Sequence, residues 1–179
     1  MNFQIKSNIQ DALVIQHNLF TDNRGYFTEL FKSNDFKKIV PNFNLKQINF
    51  SFSKKNVFRG MHIQTNPKMS KAMMVLRGEG LLLAYNMKNN KFDFKKLISL
   101  HLKEGDNLIF WAPYYYARGF ISLSNNTYIQ YFCDGVYSKK GEYNFSFNTN
   151  LFNISNLIKS EKDASGPTYK EAKKIIKNL

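Results

Sequence analysis

Arg59-Gly60-Met61-His62-Ile63-Gln64 is a strand-like run that carries a histidine in an otherwise apolar and aromatic neighbourhood. Period-two alternation puts Gly60, His62 and Gln64 on one face and Met61 and Ile63 on the other. Strict alternation sends Arg59 away from His62. A bulge at Gly60 would re-aim it, so the pattern alone leaves open whether the two act together. Working outward, similar runs rich in Phe, Ile, Leu, Tyr and Val are separated by turn signals at short intervals. These are Thr21-Asp22-Asn23-Arg24-Gly25, Gly78-Glu79-Gly80, Asn89-Asn90-Lys91, Gly105-Asp106-Asn107 and Ser124-Asn125-Asn126. No helical segments alternate with the strands, so the spacing predicts an all-β sandwich or barrel and not a βαβ fold. A short helix is predicted over Asn34 to Val40, with Ser33 as N-cap. A second is predicted from Pro167 to Asn178, with Pro167 in the first turn and Tyr169, Ala172, Ile175 and Ile176 on one face.

The 179 residues suit a single domain spanning 1–179, and 43% hydrophobic content is enough for a sizeable core. No run approaches the ~18 continuous apolar residues of a membrane span. The N-terminus lacks the charged start and apolar stretch of a signal peptide. The one cysteine, Cys133, permits no internal disulfide, which suits a cytoplasmic protein. The net charge of +13 favours an anionic small ligand. The lysines are scattered among asparagines and phenylalanines, a mixture that A/T-rich codon usage also produces. No nucleic-acid motif accompanies them, so neither nucleic acid nor membrane is expected as a partner.

Of the three histidines, His17, His62 and His101, only His62 has a context suited to catalysis. Imidazole titrates near pH 6.5 and suits reversible proton abstraction. In the strand Thr127 to Cys133, the residues Ile129, Tyr131 and Cys133 share one face. A tyrosine there is a packed residue with one satisfied hydroxyl or, if aimed at a cavity, an acid. Three scattered histidines cannot supply a multi-histidine metal site, so no metal is expected. Cys133 has no histidine nearby in sequence and is not a nucleophile.

Along the chain, motifs occur in order: Asp22-Asn23-Arg24-Gly25-Tyr26-Phe27-Thr28-Glu29, Gln47-Ile48-Asn49-Phe50-Ser51, Arg59 to Gln64, then Lys71, Val75 and Gly78. Trp111-Ala112-Pro113, Gly119-Phe120, Tyr131, and Ser160-Glu161-Lys162-Asp163 ahead of Pro167 complete the series. In this order and spacing the chain resembles the nucleotide-sugar 4-keto 3,5-epimerase family from about Phe20 to Pro167. The resemblance implies a cupin-type jelly-roll β-barrel with short flanking helices, a homodimer, and neither metal nor organic cofactor. It implies His62 as base, Asp163 as its orienting carboxylate, Lys71 beside the developing O4 oxyanion and Tyr131 as acid on the opposite face. Arg24 and Arg59 resemble the family's phosphate contacts, and a guanidinium fork suits a pyrophosphate. Phe27, Glu29, Gln47 and Asn49 match positions that shape the nucleotide and sugar pocket. In this family the segment bearing Arg24 and Glu29 reaches into the neighbouring subunit's site.

The implied activity is cofactor-independent epimerisation of a nucleotide-linked 4-keto sugar at C3, C5 or both, in the making of a surface polysaccharide sugar. The nucleotide (dTDP, GDP or CDP) and the sugar, a deoxyhexose or a heptose, stay open. A 4-keto group acidifies the hydrogens on C3 and C5. The reaction then needs a base, an enolate-stabilising group and an acid. Competing readings are a C3-only epimerase, a 4-keto sugar isomerase and a sugar-nucleotide binding protein without catalysis. One departure stands out: Arg118 occupies a position where the family usually has an active-site histidine. Arginine is larger and permanently charged. It is expected to bind substrate, add oxyanion stabilisation or narrow the pocket, and Tyr114-Tyr115-Tyr116 just before it is expected to reshape the entrance.

Overall fold

The structure, a computed structural model, describes residues 2–176. It opens with strands β1 (Phe3–Ile9) and β2 (Ala12–His17), a short arm of β3 (Phe20–Asp22) and β4 (Gly25–Phe27), and helix α1 (Ser33–Ile39). Then come β5 (Gln47–Ser53), β6 (Phe58–Gln64), β7 (Lys71–Arg77), β8 (Glu79–Asn86) and β9 (Ile98–Lys103). They are followed by β10 (Leu108–Ala112), β11 (Tyr116–Ser122), β12 (Thr127–Cys133) and β13 (Glu142–Asn144). Helices α2 (Glu161–Ala164) and α3 (Tyr169–Ile175) come last. Each of the five turn signals read from the sequence falls between consecutive strands of this series.

One sheet runs β1-β2-β10-β7-β12-β5 and the other β13-β6-β11-β8-β9. Their ladders are antiparallel. Together they make a jelly-roll barrel of the cupin type. Between the sheets lies a core of Val14, Met73, Val75, Leu82, Ile98, Phe110, Phe120 and Ile129. The outer face of the second sheet is also covered. Met61, Ile63, Leu83, Tyr85 and Ile121 pack there against Phe145 and against Tyr169 and Ala172 of α3. Phe36 of α1, with Val40 and Phe43, covers Phe3, Ile15, Met74, Ile109 and Phe132 on the first sheet. Burial on both faces explains why β11 is buried at every position and why Leu81-Leu82-Leu83-Ala84-Tyr85 shows no polar alternation.

Strand β5 inverts the usual pattern. Gln47, Asn49 and Ser51 are half-buried on its inner side, whereas Ile48, Phe50 and Phe52 are 56%, 55% and 44% exposed. Phe50 and Phe52 both lie against Tyr128 of the neighbouring strand, with ring centroids 5.3 Å apart in each pair. The barrel lumen is therefore polar beside β5, and the apolar stripe faces outward from a sheet edge.

The helices differ from the expectation at their ends. α1 begins at Ser33, and Lys32 occupies the N-cap without a side-chain cap bond, so Ser33 is not the cap. α3 starts later than expected. Thr168 caps it in a reciprocal box with Glu171, and Pro167 lies outside it. Ile176 is already the C-cap; Asn178, the expected end, lies outside the described residues. Tyr169, Ala172 and Ile176 share the buried face as expected, but Ile175 is 52% exposed. At 100° per residue it sits at the margin of that face, about 60° beyond Ala172 and about 120° from Tyr169.

Candidate active site

The β6–β11 register shows how Arg59 and His62 come together. Arg118 pairs with His62 and Phe120 with Arg59, so Gly119 alone faces both Gly60 and Met61. Two residues against one is a β-bulge, and the extra residue reverses the alternation beyond it. Arg59 and His62 consequently line the same cavity of about 280 Å³. The bulge requires glycine on both strands. Gly60 has φ +137, and a Cβ there would sit 2.7 Å from Gly119 Cα; a Cβ on Gly119 would sit 2.6 Å from the Arg59 carbonyl oxygen.

His62 Nε2 lies 2.6 Å from Asp163 Oδ1. The carboxylate thus holds one ring nitrogen and leaves Nδ1 for the cavity. Asp163 is 5% exposed and sits in α2, whose single turn is nucleated by Ser160: its hydroxyl accepts from the Asp163 N–H at 3.1 Å. Burial alone would raise the carboxyl pKa. The hydrogen bond and charge of His62, with the Ser160 contact, outweigh it and bring the value below the ordinary range.

Lys71, the first residue of β7, faces the same cavity. Burial, and next the charge of Arg118, push its pKa down. Tyr131 of β12 also lines the cavity, with its hydroxyl 3.2 Å from Ser51 Oγ. Burial raises the phenol to about 12, so it carries its proton throughout the neutral range. The face predicted for Ile129, Tyr131 and Cys133 is the lumenal one. Ile129 joins the inner core, and Cys133 is buried beside Lys71, its register partner. Burial raises the Cys133 thiol, which keeps it unreactive.

Asn49 and Arg118 are also in the cavity wall. Arg59 is anchored by Nε to Ser53 Oγ and by Nη2 to the Phe52 carbonyl, both at 3.1 Å. Gln47 stands just behind: it donates to Asn49 Oδ1 at 2.6 Å and accepts from the Tyr137 N–H at 2.8 Å. Arg24, Phe27 and Glu29 are not at this cavity. The first two belong to the β3–β4 arm, where Arg24 pairs with Asp22 at 2.6 Å and Phe27 is 66% exposed. Glu29 lies 3.6 Å from Lys32 Nζ. None of the three tyrosines lines the cavity. The hydroxyls of Tyr115 and Tyr116 point to Asp11 and Gln10.

Ser160 and Lys162 line the cavity and were not singled out from the sequence, and Lys162 pairs with Glu142 of β13. The signal was at hand, because Ser160 and Lys162 belong to the motif that supplies Asp163. Among the described residues no group of three or more His, Cys, Asp or Glu side chains is placed to hold a metal ion.

An imidazole backed by a carboxylate, a phenol that keeps its proton and a buried ammonium equip this cavity for proton abstraction and return next to a carbonyl. With the jelly-roll barrel around them, they define a cupin-type isomerase. The chain belongs to the dTDP-4-dehydrorhamnose 3,5-epimerase family, whose sequence model matches residues 6–171. The enzyme of that name from Shigella flexneri is 30% identical over 178 residues, spanning 96% of this chain and 98% of its own. The crystal structure of the Sulfolobus tokodaii dTDP-4-dehydrorhamnose 3,5-epimerase superposes with a TM-score of 0.86 at 32% identity, covering 96% of this chain and 98% of that one. The Legionella pneumophila dTDP-6-deoxy-D-glucose-3,5-epimerase, solved with dTDP-4-keto-L-rhamnose, gives 0.83 at 26% identity and 93% of each chain.

Proposed function

We propose that this epimerase inverts C3 and C5 of a dTDP-linked 4-keto-6-deoxyhexose, producing the precursor of a rhamnose-type surface sugar. The observation that carries the reading is that the His62–Asp163 pair, Tyr131 and Lys71 line one cavity. His62 Nδ1 takes the proton from the carbon next to the ketone. The C–H electrons become the C=C bond of an enolate, and the negative charge collects on O4, where the Lys71 ammonium holds it. Tyr131 gives its proton to the other face of the same carbon. Solvent then reprotonates the phenolate and takes the proton from the imidazolium, so the net change is configuration alone.

Arg59 and Asn49 serve the nucleotide end. The arm bearing Arg24, Phe27 and Glu29 serves the site of a second copy in a homodimer. Two features support the dimer: the arm is exposed and does not line its own cavity, and the stripe of Ile48, Phe50 and Phe52 is uncovered at a sheet edge. Incubation with dTDP-, GDP- and CDP-linked 4-keto sugars in deuterated water tests the reading. Solvent deuterium at C3 and C5 of the dTDP substrate is expected. Label at C3 alone would make the enzyme a C3 epimerase, and no label with any substrate would leave only binding.

A further inference from the structure

The Arg118 guanidinium is buried, at 3% exposure, and has no carboxylate partner within salt-bridge distance among the described residues. Its Nη1 donates to the carbonyls of Ala112 and Pro113 at 3.2 and 3.1 Å, and its Nη2 to that of Met69 at 3.0 Å. Its Nε is buried without an acceptor. Asp134 is turned to another partner, the Ser70 N–H at 2.6 Å. Arg118 therefore offers no free fork to a phosphate. Neutral carbonyls fix the guanidinium in place without cancelling its charge, which Asp134 offsets only from beyond salt-bridge distance. The anchors also say where that charge sits. Ala112 is the register partner of Lys71 across β10 and β7, and Met69 lies two residues before Lys71. Both side chains line one cavity.

We infer that Arg118 is a positioning residue that pins a positive charge beside Lys71 and so helps to set the upper pH limit at which that lysine serves the reaction. The inference rests on the role proposed for Lys71. A like charge disfavours the ammonium, and burial acts in the same direction and more strongly. Around Lys71, Cys133 of β12 and Glu142 of β13 favour the ammonium, whereas Lys162 of α2 opposes it. His62 of β6 is paired with Asp163 of α2, and Tyr131 of β12 keeps its proton. Leu108–Ala112 of β10 presents no titratable side chain. Arg118 itself, lowered by burial to about 10, stays charged at neutral pH. An ammonium brought nearer to neutrality donates more strongly to the enolate oxygen, because the proton affinities of donor and acceptor are better matched.

Competitive acetylation of the intact protein across pH 6–11, read by peptide mass spectrometry, measures the titration of Lys71 without any substrate. Its outcome therefore stands apart from the fate of the dTDP-sugar reading. In the wild-type protein Lys71 should titrate below the exposed lysines. Arg118→Gln should move its midpoint up by about one pH unit, with the alkaline limb of kcat/KM following. Arg118→Lys, charged at neutral pH, should move both less than Arg118→Gln does. Arg118→His, neutral at alkaline pH, repeats the test if the Gln variant fails to fold. A wild-type midpoint equal to that of the exposed lysines overturns the inference. So does a midpoint unmoved by both neutral substitutions.

Discussion

His62 and Asp163 stand or fall together. Asn at position 62 can hydrogen-bond but cannot take a proton, so His62→Asn should cut deuterium exchange by about 10³-fold, within the usual range for a general base, with the fold intact by circular dichroism. Near-normal turnover would sink the mechanism. Asp163→Asn keeps the base and loses the counter-charge, and should cost less. Its effect on stability has a definite sign. The Asp163 carboxyl is lowered in the folded protein. The stabilisation it gives is therefore present above the unfolded carboxylate pKa of about 3.9 and is lost as pH falls through the folded value. The melting temperatures of wild-type protein and Asp163→Asn should converge as the pH falls below about 4, and a gap constant with pH would show that the carboxylate charge contributes nothing. Tyr131→Phe should impair inversion at C5 more than exchange at C3, read from the position of the label. Equal loss at both carbons would remove Tyr131 from its specific role.

At the scale of elements, the sequence made the strands legible because turn residues punctuate apolar runs at short intervals. The Thr127–Cys133 strand matches β12 end to end. Arg59 was not legible, because alternation is a rule for regular ladders and the Gly60–Gly119 approach breaks the ladder. The cap of α1 was misread because Ser33 is equally at home one residue inside the helix. The pairing of Asp163 with His62 spans 101 residues, and no local pattern encodes it; only the resemblance supplied it. The setting of Arg118 was hidden for a similar reason, since its three carbonyl acceptors come from the end of β10, the residue after it and the segment before β7. The bulge yields its own test. Gly119→Ala would press a methyl onto the Arg59 carbonyl and should cost about 1–3 kcal/mol, the usual cost of overpacking. A melt unchanged within a degree would mean that the two strands part easily.

For the whole molecule, the proposed dimer makes each site a joint product of two chains. A subunit carrying Arg24→Ala spoils its partner's site, and one carrying His62→Asn spoils its own. Mixed dimers of the two variants should then hold one intact site each and recover activity that neither homodimer has. Failure of mixing to restore any turnover, with heterodimers verified by mass spectrometry, would place the arm outside catalysis. Replacing both Phe50 and Phe52 by Ser should shift the elution of the protein towards the monomer. Exhaustive chelation should leave turnover unchanged; restoration of lost activity by zinc, iron or manganese would overturn the metal-free mechanism.

Cys133, the chain's one thiol, is fully buried at the end of β12, paired in register with Lys71 of the cavity wall. Its sulfur is sealed and its pKa raised, so a thiol reagent can reach it only when the barrel opens. The rate of its modification under native conditions is thus a built-in clock for the opening of β12. A nucleotide sugar bound in the neighbouring cavity should slow that clock in proportion to its occupancy, reporting affinity even in variants that no longer turn over.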